Sequence, residues 1–146
     1  MLASWGSELK ESNLELYTAR SAGENPISYP DFKIGSIALA KHLDVNEEHG
    51  VLAVNRVFAK QLLLKEQSEL DSNRVPLYVC NCCADLGCGA VTVKVEKVDG
   101  FFIWSEFGYE NNYEDGFSQS EFMQRTGPYK FKAESYISVI RPYGKG

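Results

Sequence analysis

No stretch of this 146-residue chain stays apolar long enough to cross a bilayer, a task that takes about 20 residues. The first ten residues, Met1 to Lys10, hold neither a basic opening nor an apolar run, so no secretory leader is expected. The expectation is a cytoplasmic protein without a membrane partner. Histidine is scarce, with only His42 and His49 to serve as imidazole bases. Nucleotide-binding glycine fingerprints, a phosphate loop, a Gly-x-Ser-x-Gly elbow and a His-Glu-x-x-His pair are all missing. Cations are outnumbered, 15 Lys plus Arg against 20 Asp plus Glu, for a net charge of −5. Nucleic acid is not an expected ligand, because phosphate contacts need clustered cations.

What is present suits one folded domain, residues 1–146. Apolar residues make up 44% and charged residues 24%, enough to bury a core and too apolar for a disordered chain. Asn13 to Thr18 alternates apolar and polar residues and predicts a first strand. Gly23, Asn25, Pro26 and Pro30 predict a loop over Ser21 to Asp31. Ser36 is placed to cap a short helix through Ile37, Ala40 and Leu43. Between Val51 and Glu69, the residues Val54, Val57, Phe58 and Leu62 recur at helical spacing. Leu62-Leu63-Leu64 widens that face, and this segment is the expected main helix.

The C-terminal half reads as sheet. Val75 to Cys80 begins it. Val91, Val93 and Val95 alternate with Thr92, Lys94 and Glu96, and Asp99-Gly100 signals a hairpin returning through Phe101 to Phe107. A three-residue Val98-Asp99-Gly100 loop would pair Val95 with Ile103 and Val91 with Phe107. A two-residue loop would set Val93 against Glu106, so apolar matching favours the longer loop. Tyr109 to Gly116 reads as loop, Pro128 to Lys132 as a last strand, and Ala133 to Ile140 as a short helix stopped by Arg141-Pro142. The expected class is α+β: a mostly antiparallel sheet in the C-terminal half, with one main helix packed on it.

Four cysteines fall between Cys80 and Cys88. Cys80 and Cys83 have two residues between them, the spacing of a zinc-binding pair or a redox dithiol, and Cys88 supplies a third thiol. A fourth zinc ligand would have to be Cys82, His42 or His49. A dithiol site normally opens a helix, whereas Gly87, Gly89 and a valine strand follow here. A stable disulfide framework needs an oxidising compartment. The plain alternative is a set of small, partly buried thiols in a tight turn.

Three segments carry a family likeness: Cys80-x-x-Cys83-x-Asp85-Leu86-Gly87-Cys88-Gly89, Trp104-x-x-Phe107-Gly108-Tyr109-Glu110-Asn111-Asn112-Tyr113, and Gly127-Pro128-Tyr129-x-Phe131. Together they resemble a family of small uncharacterised bacterial proteins over roughly Val75 to Ile140. The resemblance implies a shared fold without an established activity. Cys82 is an addition to the family's cysteine pattern.

From Asp99 to Gln124 there is no Lys or Arg, while six acids and eight aromatics interleave. Half of those rings must serve the core. Tyr109, Tyr113 and Phe117 fall where the chain reads as loop, beside Glu106, Glu110, Glu114 and Asp115. Aromatic anchors within an acidic rim suit a basic protein surface. The expected function is therefore non-catalytic protein binding, of the kind an immunity protein uses against a basic bacterial toxin. The alternative is a small zinc- or thiol-bearing domain using Cys80, Cys83 and Cys88. The expectation includes no cofactor and reduced cysteines. Elemental analysis of protein purified without chelator is expected to find well under one zinc per chain. One zinc per chain, lost together with fold stability in Cys80→Ser or Cys83→Ser, would install the metal reading instead.

Overall fold

The structure is a computed structural model that describes residues 10–20, 28–43, 51–52, 56–67, 73–79, 90–110 and 118–144. Strands β1 (Leu14–Arg20), β2 (Ser28–Ile34) and β3 (Ile37–Ala38) form one antiparallel sheet in that order. Helix α1 (Leu39–His42), strand β4 (Val51–Leu52) and helix α2 (Arg56–Leu62) follow. Then come β5 (Val75–Val79), β6 (Ala90–Val98) and β7 (Phe101–Glu110). The described chain closes with α3 (Glu121–Gln124), β8 (Tyr129–Lys132) and α4 (Ala133–Gly144). Strands β4 to β8 make a second antiparallel sheet, paired in sequence order. The fold is α+β.

The helical content is more broken than the apolar spacing predicts. Val51 and Leu52 pair with Val79 and Tyr78 as an edge strand, and α2 spans only Arg56–Leu62. Its end has a specific cause. Leu64 adopts φ 60°, its N–H donates to the Gln61 carbonyl, and the Lys65 N–H donates to the Lys60 carbonyl. That is a Schellman stop with leucine in the left-handed position usually held by glycine. The triple leucine thus terminates the helix it was expected to widen.

Three further expectations change. The predicted loop over Ser21 to Asp31 ends in a strand, because β2 begins at Ser28 and pairs along β1. Pro30 is tolerated there because β3 reaches only Lys33 and Ile34, so the missing proline N–H costs no ladder bond on that side. Gly35 and Ser36 turn β2 into β3, and Ala38, with no side-chain bond, occupies the position before α1. At the C-terminus Pro142 lies inside the last turn of α4 and does not stop it.

The β6–β7 hairpin settles its register in an unexpected way. Asp99 and Gly100 have φ 48° and 82°, the two left-handed residues of a type I′ turn. Val98 therefore pairs with Phe101 and Val95 with Trp104, and the three-residue loop is wrong. Between the pairs Lys94–Ser105 and Thr92–Gly108 the register shifts, so Glu106 and Phe107 both stand opposite Val93. Glu106, at φ 54°, is the bulged residue. The bulge swaps the faces of β7 midway. Phe102 and Trp104 before it and Phe107 after it all reach the same core. A second shift at Leu77 does the same for Val75 and Tyr78 on β5.

That core face is centred on Trp104, fully buried and ringed edge-on by Phe32, Phe107, Phe131 and Tyr136 at centroid distances of 5.2 to 6.4 Å. The indole N–H donates to the Tyr136 hydroxyl (3.0 Å), which donates to the Leu62 carbonyl at the end of α2 (2.7 Å). One hydroxyl thus ties α4, α2 and the sheet. Gly127 closes against this cluster. A Cβ there would lie 3.2 Å from the Phe107 ring, and its φ of 79° is left-handed, so any other residue meets both steric and conformational cost.

The two sheets are joined by a buried carboxyl. Asp31 is 2% exposed. One oxygen accepts from the Tyr78 hydroxyl (2.5 Å) and the Phe32 N–H (2.7 Å), the other from Tyr17 (3.4 Å). Burial pushes its pKa up, against those hydrogen bonds, which pull it down. A folded pKa above the unfolded value means the native state holds the proton more tightly. Stability from this group is then fullest at and below about pH 4 and is lost as pH rises through the raised value. In urea titrations across pH 4 to 8, wild type should lose ground to Asp31→Asn as pH rises and then run parallel to it. A wild type that gains on the variant over that range would show the carboxylate to be stabilised in place.

Candidate functional site

Val79, Ala90 and Glu110, which flank two of the segments singled out in the sequence, meet at one end of the five-stranded sheet. Val51 pairs with Val79, Val79 with Ala90, and Ala90 with Glu110, so four strands begin or end in one row. The connections numbered 80–89 and 111–117 leave from and return to this row, the second returning at Ser118. Ser118 and Tyr109 exchange backbone hydrogen bonds of 2.7 and 3.0 Å. Cys80, Cys83, Cys88, Tyr113, Glu114, Asp115 and Phe117 lie outside the described residues.

The described candidates divide. Glu106 is turned out by its bulge, with 55% of its side chain exposed and Lys94 3.6 Å away. Tyr109 is half-buried and packs on the core. Glu110 departs from the expectation of a solvent-facing acid. Only 9% of its side chain is exposed, and it sits 3.0 Å from Arg74, which is equally covered. Thr92 bridges the pair. Its hydroxyl donates to Glu110 (2.8 Å) and accepts from the Arg74 Nε–H (3.1 Å). Burial pulls the Arg74 pKa down, while Glu110 and Glu106 push it back up. The cation-free window from Asp99 to Gln124 is therefore neutralised at Glu110 by a residue 36 positions earlier, which no local pattern reveals. Glu110 is an internal counter-ion of the fold.

The sequence reading passed over α3. Ser120 caps it, accepting from the Met123 N–H at 3.2 Å, and Gln119 donates to the Phe107 carbonyl at 2.8 Å. The Gln119 bond ties the start of α3 to β7 beyond the point where β8 stops pairing, at Trp104–Tyr129. Met123 is buried and Phe122 is 51% exposed. Glu121 beside it pairs with Arg125 on the surface. The four-residue length of the helix hid it, but the Ser120 cap followed by Glu121 was a readable signal.

Among the described residues, no three or more His, Cys, Asp and Glu side chains group as metal ligands would, and no helix is long and apolar enough to cross a membrane. The described candidates are thus an outward acid at a bulge, a half-buried tyrosine packed on the core and an exposed phenylalanine on α3.

The ion pair makes a prediction. Glu110→Ala should destabilise the fold in urea unfolding, because it removes the carboxylate that lies 3.0 Å from the covered Arg74 guanidinium. The double variant Arg74→Met/Glu110→Leu should lose far less than the sum of the two single changes. Additive losses would show that the two side chains act independently. Models of known protein families, curated proteins and solved structures yield no match to this chain.

Proposed function

We propose that this chain is a non-catalytic binding domain for a basic protein, acting as an immunity protein acts on a toxin. The contact surface centres on Glu106, Tyr109, Tyr113, Glu114, Asp115 and Phe117, with Phe122 added and Glu110 removed. The observation that carries this reading is Glu106. A charged residue at φ 54° costs about 1–2 kcal/mol where glycine would cost little, and strained positions that persist gather at binding sites. Here the strain turns an acid outward midway along the strand whose end leads into the acidic, aromatic 111–117 connection. The half-exposed Phe122 lies on the helix packed against the same strand.

The physical division of labour is the usual one for such surfaces. Exposed acids speed encounter with a cationic partner and are screened by salt. Aromatic anchors hold the complex and set its lifetime.

Glu106→Gly separates fold from function. It should leave stability within about 1 kcal/mol of wild type, because relief of the left-handed strain offsets the added chain entropy. Glu106→Val should destabilise by about 1–2 kcal/mol. Affinity capture from the native host, followed by kinetics on the captured protein, tests the binding role. Glu106→Lys with Glu114→Lys should lower the association rate at low salt. Tyr113→Ala or Phe122→Ala should raise the dissociation rate, with a loss of about 2 kcal/mol at a true anchor. An acidic captured partner, or unchanged kinetics in folded variants, would refute the assignment.

A further inference from the structure

Lys94 stands between two carboxylates. Its Nζ lies 3.6 Å from Glu106 Oε2 and 3.9 Å from Glu96 Oε1. Lys94 and Glu96 flank Val95, which packs on the core, so both project from the other face of β6. Glu106 reaches Lys94 from the bulge of β7, where Ser105 is the residue paired with Lys94.

The two carboxylates differ in their surroundings. The Glu106 side chain is 55% exposed and that of Glu96 only 16%. Glu96 Oε1 is buried and, among the described residues, has no hydrogen-bond partner. A buried acceptor gains when a donor closes on it. An exposed ion pair is worth little and is easily broken, because water solvates the released carboxylate. One ammonium thus has a solvated seat at Glu106 and a covered seat at Glu96, and its release from the first leaves it paired at the second.

This arrangement also selects the incoming cation. Exchanging one ammonium for another at Glu106 gains nothing. A guanidinium gains, because its planar fork gives a carboxylate two parallel hydrogen bonds where an ammonium acts as a point charge. Arg74, whose charge also feels Glu106, is covered and held 3.0 Å from Glu110.

We propose that Lys94 is a displaceable counter-ion: an arginine of the partner takes its place on Glu106, and Lys94 moves onto Glu96. The proposal rests on the binding role argued above and names the group that Glu106 receives.

Tri-arginine amide and tri-lysine amide test it. The glutamate side-chain carboxyl carbons of 13C-labelled protein are followed by NMR as each peptide is added. Tri-arginine should move the Glu106 and Glu96 resonances with one midpoint, and should bind about fivefold more tightly than tri-lysine. In Lys94→Met the Glu106 response should persist and the Glu96 response should vanish. Glu96→Gln should weaken tri-arginine binding more in wild type than in Lys94→Met, because the lost charge acts in both backgrounds and the lost seat only in the first. The wild-type titrations decide the matter even if a variant fails to fold. Glu96 still while Glu106 moves, equal binding of the two peptides, or equal effects of Glu96→Gln in both backgrounds would overturn the exchange and leave the binding role standing. No saturable movement at Glu106 would overturn the exchange as well. An acidic partner captured from the host would overturn the binding role itself.

Discussion

The extra residue at Glu106 is the constraint on which the larger sheet depends. In a regular strand, Phe102 and Trp104 would share a face with Glu106 and Gly108, and Phe107 and Tyr109 would point away. The bulge lets one strand present Phe102, Trp104 and Phe107 to a single core. Trp104 then meets four rings, Tyr136 reaches the indole N–H, and α4 is fixed over the sheet. Gly127 is needed because Phe107 arrives where it does. Packing, helix placement and the outward acid all follow from one shift in strand phase.

The same shift explains what was legible in the residues. The alternation of Val91, Val93 and Val95, the Asp99-Gly100 turn and the aromatic return strand are local patterns that mark β6 and most of β7, but Tyr109 and Glu110, read as loop, continue that strand opposite Val91 and Ala90. The register could not be read, because apolar matching assumed an unbroken strand. A type I′ turn with a bulge satisfies the turn residues and the core together. The Val51 to Glu69 helix was overstated for a related reason. Spacing alone does not show that Val51 and Leu52 have strand partners 28 and 26 residues on, or that Leu64 takes a glycine's conformation.

The candidate site was legible in part. Charge counting along the chain located an acidic segment, yet charge is neutralised in space. Arg74 lies far from Glu110 in sequence and 3.0 Å from it in the fold. Asp31 was hidden in the same way, read as the end of a polar loop although it is the buried tie between the sheets. In both cases the local sequence carried the residue type, and only tertiary pairing decided whether its polarity faced water or a buried partner.

Tyr136 bonds Leu62 across 74 residues, and Tyr78 bonds Asp31 across 47. The last described helix therefore supplies the ring and hydroxyl that complete the core around Trp104. On the ribosome, everything up to β7 emerges before that helix does. Until α4 docks, one edge of the tryptophan and the end of α2 have no cover from it. Contacts of such long separation are formed late and slowly, so the nascent chain carries exposed aromatic surface from the emergence of β7 until α4 docks. The interval in which that surface is open to aggregation and proteolysis closes when Tyr136 reaches the Trp104 indole and the Leu62 carbonyl.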